Sequence, residues 1–264
     1  MVAPSPLLIL PRSVLLALWV QHVGAGARPL QRAVDAIQGD DEPHTITSHD
    51  DATSFDGHLP ELLATWASGP RETAALLPVP GDAAGVPAAV SVAALAAGEC
   101  VLVSTSAGSF AAIPKVEEFG SDIEPGHFVT WSVHRVPDWR NSIQGVVGSL
   151  ADSERDLRGA LVSATEALAA LDVARWRDDA AQAIAQLRAD ADPGWPVPPG
   201  LEGRRLRVLI AAARLRAIVE LATADDGGAI SLWQADQRST ALREVDRAAR
   251  RAMSAATARA DGGA

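Results

Sequence analysis

Beyond Trp139 the sequence stops alternating, and that change limits the fold more than any other feature. Before it, apolar residues recur with both the two-residue period of a strand and the 3.6-residue period of a helix. From about Ser149 to the C-terminus only helical spacing remains. Leu157, Leu161, Ala164, Leu168 and Leu171 step 4-3-4-3, the stripe of a bundle helix. Asp172 interrupts the stripe, and Asp178 is placed to cap a further helix running to Asp190. A Pro/Gly-rich crossover, 192–200, leads to a helix over Arg204–Ala222 with Leu206, Ile210, Ala213, Ala217 and Leu221 on one side. Asp225-Asp226-Gly227-Gly228 is a tight connection, and Ser231 caps a last helix carrying Leu242, Val245, Ala249 and Met253.

The first half is mixed. Pro11 suits a first helical turn, and Ser13–Val23 is apolar on most sides, as a buried helix must be. Pro29–Gln38 repeats Leu30, Val34 and Ile37 at helical spacing and ends on Gly39. An acidic loop, 40–57, with a short strand at Thr45–Thr47 precedes a helix at His58–Ser68 faced by Leu59, Leu62, Leu63 and Trp66. Strands are predicted at Thr73–Val79, Glu99–Ser104 and Ser109–Ile113, with a helix at Pro87–Ala97. In His127–Val136, Val129, Trp131 and Val133 alternate with Thr130, Ser132 and His134, the clearest strand in the chain.

Strand and helix signals are therefore segregated, which predicts an α+β fold. Residues 1–140 would form a mixed N-terminal lobe with a small sheet and several helices, and residues 141–264 an all-helical lobe of about four helices. No flexible linker keeps the two from sharing one core.

Charge and composition narrow the function classes. The net charge is −10, a poor match to a nucleic-acid backbone. Residues 1–140 carry −9 of it. Alanine occurs 52 times and tyrosine never, so the seven tryptophans supply most of the bulky packing. Cys100 is the only cysteine, which fits a reducing compartment, and its place before Val101-Leu102-Val103 reads as a buried strand position. Val14–Val20 followed by Ala25-Gly26-Ala27 imitates a secretion signal, but the first eleven residues hold no Lys or Arg, so a cytoplasmic protein is expected. No stretch reaches the roughly 20 apolar residues of a membrane span.

Catalytic and ligand motifs are weak. His44, His49, Asp50, Asp51, Asp56 and His58 are the densest cluster of metal-type ligands, yet their spacing fits neither a zinc helix nor a calcium loop. Gly24-Ala25-Gly26 lacks the third glycine of a dinucleotide loop, and there is no phosphate-binding P-loop. Ser104, Ser106 and Ser109, with His127, His134 and Asp138, supply the side chains of a nucleophilic triad without the elbow motif around any serine. Arg204 and Arg205 open a helix where a phosphate could sit, although ion pairing is their more common use. Trp195, among four prolines, is placed to clamp a junction or a partner. No cofactor is called for.

Four phrases, PRSVLLALW at 11–19, LPVPGD at 77–82, ALAALDVARWR at 167–177 and AIVELATADDGGA at 217–229, resemble a family of hypothetical proteins from high-GC Gram-positive (actinobacterial) genomes. The resemblance implies a cytoplasmic protein with Pro11–Val20 as a structural helix, and it brings no activity or site residue. The expected function is a non-enzymatic interaction or regulatory protein with a protein partner or a second copy, using an exposed apolar patch. The alternative is a small-molecule or metal-dependent hydrolase with its site between the lobes, built from the 44–58 loop and the 127–139 segment.

Overall fold

The run Ser13–Val20 has no polar side wide enough to face water, and the fold buries all of it. It forms helix α1 (Arg12–His22) in a computed structural model that describes residues 8–23, 27–49, 57–121, 124–170, 193–223 and 232–258. One of the first-turn N–H groups that lack an intrahelical acceptor is met by a carboxylate: Ser13 N–H donates to Glu99 Oε2 at 2.7 Å. Helix α2 (Ala27–Gln38) buries Ala33, Val34, Ala36 and Ile37 and ends on Gly39, whose φ of +54° suits a residue without Cβ.

The described residues fall into two compact units. One lies within Leu10–Gly148, Pro196–Glu202 and Thr257–Ala264; the other within Met1–Ile9, Ser149–Trp195 and Gly203–Ala256. The first unit is α+β. Its strands are β1 (Thr45–Ser48), β2 (Gly57–His58), β3 (Arg71–Leu76), β4 (Cys100–Thr105), β5 (Gly108–Ser121) and β6 (Glu124–Val136). They form one sheet in the order β2-β1-β6-β5-β4-β3, antiparallel throughout except for β1 beside β6. Helices α3 (Leu59–Trp66), α4 (Ser91–Ala97) and α5 (Arg140–Val147) complete the unit.

One sheet face carries the core. Val129, Trp131 and Val133 are buried there as their alternation predicts, beside Phe110 and Ile46. Thr73 Oγ1 donates to Ala17 O at 2.9 Å, which seats α1 on this face, and the Trp66 ring lies 6.4 Å from that of Phe110, which seats α3 there too. Arg71 joins these helices. Its guanidinium donates to Val20 O, Gln21 O and Val23 O at the end of α1 and to Ala67 O and Gly69 O after α3. These are carbonyls that a helix terminus leaves without intrahelical partners.

The structure departs from the sequence reading most in β5. The predicted strand stops at Ile113, whereas β5 runs to Ser121 and pairs with β6 as far as Glu124. Partners of β4 on β5 end at Ala112 and partners of β1 on β6 begin at Thr130, so from Val116 to Ser121 and Glu124 to Val129 the two strands form a two-stranded arm. Lys115 to Ser121 are exposed on both faces, and a strand wetted on both sides has no apolar alternation to read.

The second unit is helical: α6 (Leu150–Ala170), α7 (Gly203–Thr223) and α8 (Leu232–Thr257). In α8 the expected Leu242, Val245, Ala249 and Met253 are buried. In α7 the buried residues are Val208, Leu209, Ala212, Ala213, Leu215, Val219 and Ala222, a face rotated from the predicted one. Arg204, Arg205, Arg207, Arg214, Arg216 and Glu220 are spread around that helix among its apolar residues, so its periodicity does not select a side. In α6 Leu157 is buried but Leu161 is 45% exposed, so the bundle stripe does not hold there. The side chains of Ala164 and Leu168, Leu171, the helix expected at 178–190, the 225–228 connection and the Ser231 cap lie outside the described residues.

Candidate functional site

Strand parity separates the predicted metal ligands. Residues an odd number apart on β1 point to opposite faces, so His44 and His49 cannot share a site. His44 is fully buried on the core face. Its Nδ1 accepts from the Trp131 indole N–H at 3.1 Å, which leaves the proton on Nε2, and Nε2 faces Asp41 Oδ2 at 3.1 Å. Asp41 also takes both Nε and Nη2 of Arg12, at 2.6 and 2.7 Å, and meets His127 Nδ1 at 3.3 Å. Burial would raise the Asp41 carboxyl, but the Arg12 and His44 hydrogen bonds outweigh it and hold it below the ordinary value. This network joins the start of α1, the loop before β1 and β6 with no position left for a reacting group on His44.

His49 lies on the other face at the end of a polar ladder between β1 and β6. Thr45 and Thr130 hydroxyls are 2.9 Å apart, Thr47 sits beside Ser132, and the His49 and His134 rings stack at 4.5 Å. His58 starts α3, where its N–H donates to Glu61 Oε2 at 3.0 Å. Asp50, Asp51 and Asp56 lie outside the described residues. Among the described residues no three His, Cys, Asp or Glu side chains come together as a metal site.

Two of these histidines give a pH prediction. Burial holds His44 below its ordinary 6.5 despite the pull of Asp41; burial and then the charge of His49 hold His134 down. Below about pH 6.5 the unfolded chain therefore takes up more protons than the folded one, so stability present above that value is lost as pH falls. Thermal melts between pH 7.5 and about pH 5 are expected to show a falling midpoint, and His134→Gln should flatten the slope. A midpoint independent of pH would contradict it.

The hydrolase residues form no triad: Ser104, Ser106, Ser109 and Asp138 line one cleft, but His127 and His134 do not. Ser104 Oγ bonds Ser109 Oγ at 2.6 Å, His127 faces Asp41, His134 stacks on His49, and Asp138 pairs with Arg140 at 2.7 Å. Cys100 is buried in β4, and burial pushes its thiol up to about 12, so it stays protonated. Arg204 pairs with Glu154 of α6 at 2.9 Å and Arg205 donates to Ala256 O, the ion-pairing and capping use rather than a phosphate site. Trp195 donates to Leu8 O at 2.6 Å within its own unit.

What the sequence reading did not single out is the arm. Phe119 and Phe128 stack at 4.3 Å near its tip while 39% and 51% exposed, and Val116 on the opposite face is 41% exposed. Gly126 stands opposite Phe119 because the ring lies over it: a Cβ there would fall 2.4 Å from Phe119 Cζ. On the aromatic face stand Glu117 and Glu124, with Lys115 paired to Glu117 at 2.8 Å. The signal that could have found it is the sequence pattern of two phenylalanines, Phe119 and Phe128, on either side of a segment holding Gly120, Pro125 and Gly126. Charges along outer β5, and Pro114 just past the end of β4, discourage a further strand from adding to that edge. The contact the arm offers is through its aromatic face.

Residues 13–146 match the family described as Rv1486c-like protein, N-terminal domain, and residues 151–254 match Rv1486c-like protein, C-terminal domain. The chain is also similar to a protein of Mycobacterium tuberculosis (strain ATCC 25618 / H37Rv) named "Uncharacterized protein Rv1486c". The two are 32% identical over 205 residues, covering 69% of this chain and 68% of the relative. The actinobacterial resemblance read from the four phrases is thereby shown. No solved structure matches the chain.

Proposed function

The chain belongs to the Rv1486c-like family, and on that premise we propose that it is a non-enzymatic interaction protein whose β5–β6 arm docks onto a partner protein. The observation that carries this is the solvent-facing stack of Phe119 on Phe128, held in register over Gly126 near the tip of the arm. Exposed aromatic pairs are costly in water and are the usual anchors of protein interfaces. Charge selects the occupant. The arm is acidic, and residues 1–140 sum to −9, so two arms brought together would juxtapose like charges. The partner that fits presents an apolar slot edged by arginine or lysine. The single buried, protonated cysteine supports a cytoplasmic setting. No helix of the described residues is long and apolar enough to cross a membrane.

The test compares wild type with Phe119→Ser/Phe128→Ser and with the charge reversal Glu117→Lys/Glu124→Lys, each checked for an unchanged melting point. Wild type should retain a binding protein that both variants release and that elutes with rising salt. Retention by all three, or a native mass of two copies that the aromatic variant abolishes, would overturn the proposal; the second result would assign the arm to self-association.

A further inference from the structure

A strand at the edge of a sheet presents a row of backbone N–H and C=O groups to any other strand that reaches it. Among the described residues β3 is the last strand of the sheet, at the side away from β2. From Thr73 to Leu76 it carries neither charge nor proline, the usual deterrents to a further strand. We propose that the outer edge of β3 is a strand-pairing surface for a second copy of this chain, kept shut by a clasp of Gln21 and Thr257.

Two backbone groups show where the edge points. Thr73 C=O accepts from Gln21 Nε2 at 3.1 Å, and Ala75 N–H donates to Thr257 Oγ1 at 2.8 Å. Both bonds run away from β4, so residues 73 and 75 turn these groups outward. The C=O of one residue and the N–H two residues on are the pair that a single residue of an adjoining parallel strand takes up. Gln21, on α1, supplies the donor of such a residue, and Thr257, which closes α8, supplies the acceptor. The two side chains also tie to each other and to the strand: Gln21 Nε2 donates to Thr257 O, and to Thr73 Oγ1 at 2.6 Å. Thr257 is fully buried, as are Thr73, Ala74, Ala75 and Leu76, so water does not replace the clasp while it is closed. All of these residues belong to the α+β unit.

The edge fits its own copy. Outward backbone groups recur at every second residue, so a two-fold axis through Thr73 pairs β3 with itself in antiparallel register. Arg71 of one copy then stands opposite Ala75 of the other, and Glu72 opposite Ala74, so no like charges face each other across the new pair. In a chain of net charge −10 few surfaces let two copies meet on those terms. Opening the clasp leaves Thr73 C=O and Ala75 N–H without partners, and pairing with a copy restores both bonds.

Native mass spectrometry and light scattering across rising concentration test the clasp on the full chain, each variant first checked for a cooperative melt. Gln21→Leu/Thr257→Val should form a two-copy species with an affinity at least about tenfold above any self-association of wild type. Ala75→Pro added to that variant removes the outward N–H and should return it to one copy. Thr257→Val alone, which keeps the shape and removes only the acceptor of Ala75 N–H, serves if the double variant does not fold. Slowed amide exchange over Arg71–Leu76 in the two-copy fraction serves if the proline variant does not. Folded clasp variants that stay single at every concentration, or a two-copy species indifferent to Ala75→Pro with unchanged exchange in β3, would overturn the proposal. So would a wild-type two-copy species that Ala75→Pro abolishes, since the edge would then be open with the clasp intact.

Discussion

Replacing Trp131 by alanine is expected to lower the unfolding free energy by about 4 kcal/mol, the cost of emptying a fully buried indole from a packed core. Trp131 fills the centre of the helix-covered face of β6, and its indole N–H is the partner of His44 Nδ1. Trp131→Phe separates the two contributions. It keeps most of the volume and leaves the buried His44 acceptor without a donor, which should cost about 1–3 kcal/mol. Urea unfolding followed by circular dichroism checks both, with the midpoint shifting and the slope held. A loss below about 1 kcal/mol for the alanine variant would mean that this face is not packed as described.

Arg71→Ala is expected to cost about 3 kcal/mol, because one side chain satisfies carbonyls from two helix ends. The total is less than the sum of five charged hydrogen bonds, since carbonyls near the cleft regain water. Arg71→Lys should recover little of it. An ammonium has three donors on a flexible stem and cannot reach carbonyls of Val20, Val23 and Ala67 together as the planar fork does. Equal stability of the lysine and wild-type chains in the same urea titration would refute the geometric explanation and leave only the charge.

The elements legible in the sequence are those whose burial is one-sided or complete. The alternation around Trp131 announced β6, the uninterrupted apolar run announced α1, and the helical spacing of Leu242 to Met253 announced the buried face of α8. Where burial is absent or undirected the pattern carries no information. The outer half of β5 is wet on both faces, and in α7 charged and apolar residues are spread all round, so one strand was read short and one helix face was misplaced. The same limit hid the arm: Phe119 and Phe128 are nine residues apart, and only the hairpin register makes them neighbours.

The sequence by itself determined the class of each half, α+β and then helical, because hydrophobic periodicity is a local consequence of backbone geometry. It also determined that Cys100 is buried, since it opens a continuous apolar strand. Only the tertiary structure decided which polar residues meet. His44 went to Asp41 and Trp131, His49 to His134, and three serines to one cleft with Asp138, because strand pairing and parity set those distances. A side chain's partners depend on register between segments far apart in the chain, and composition and spacing along one segment do not encode that register.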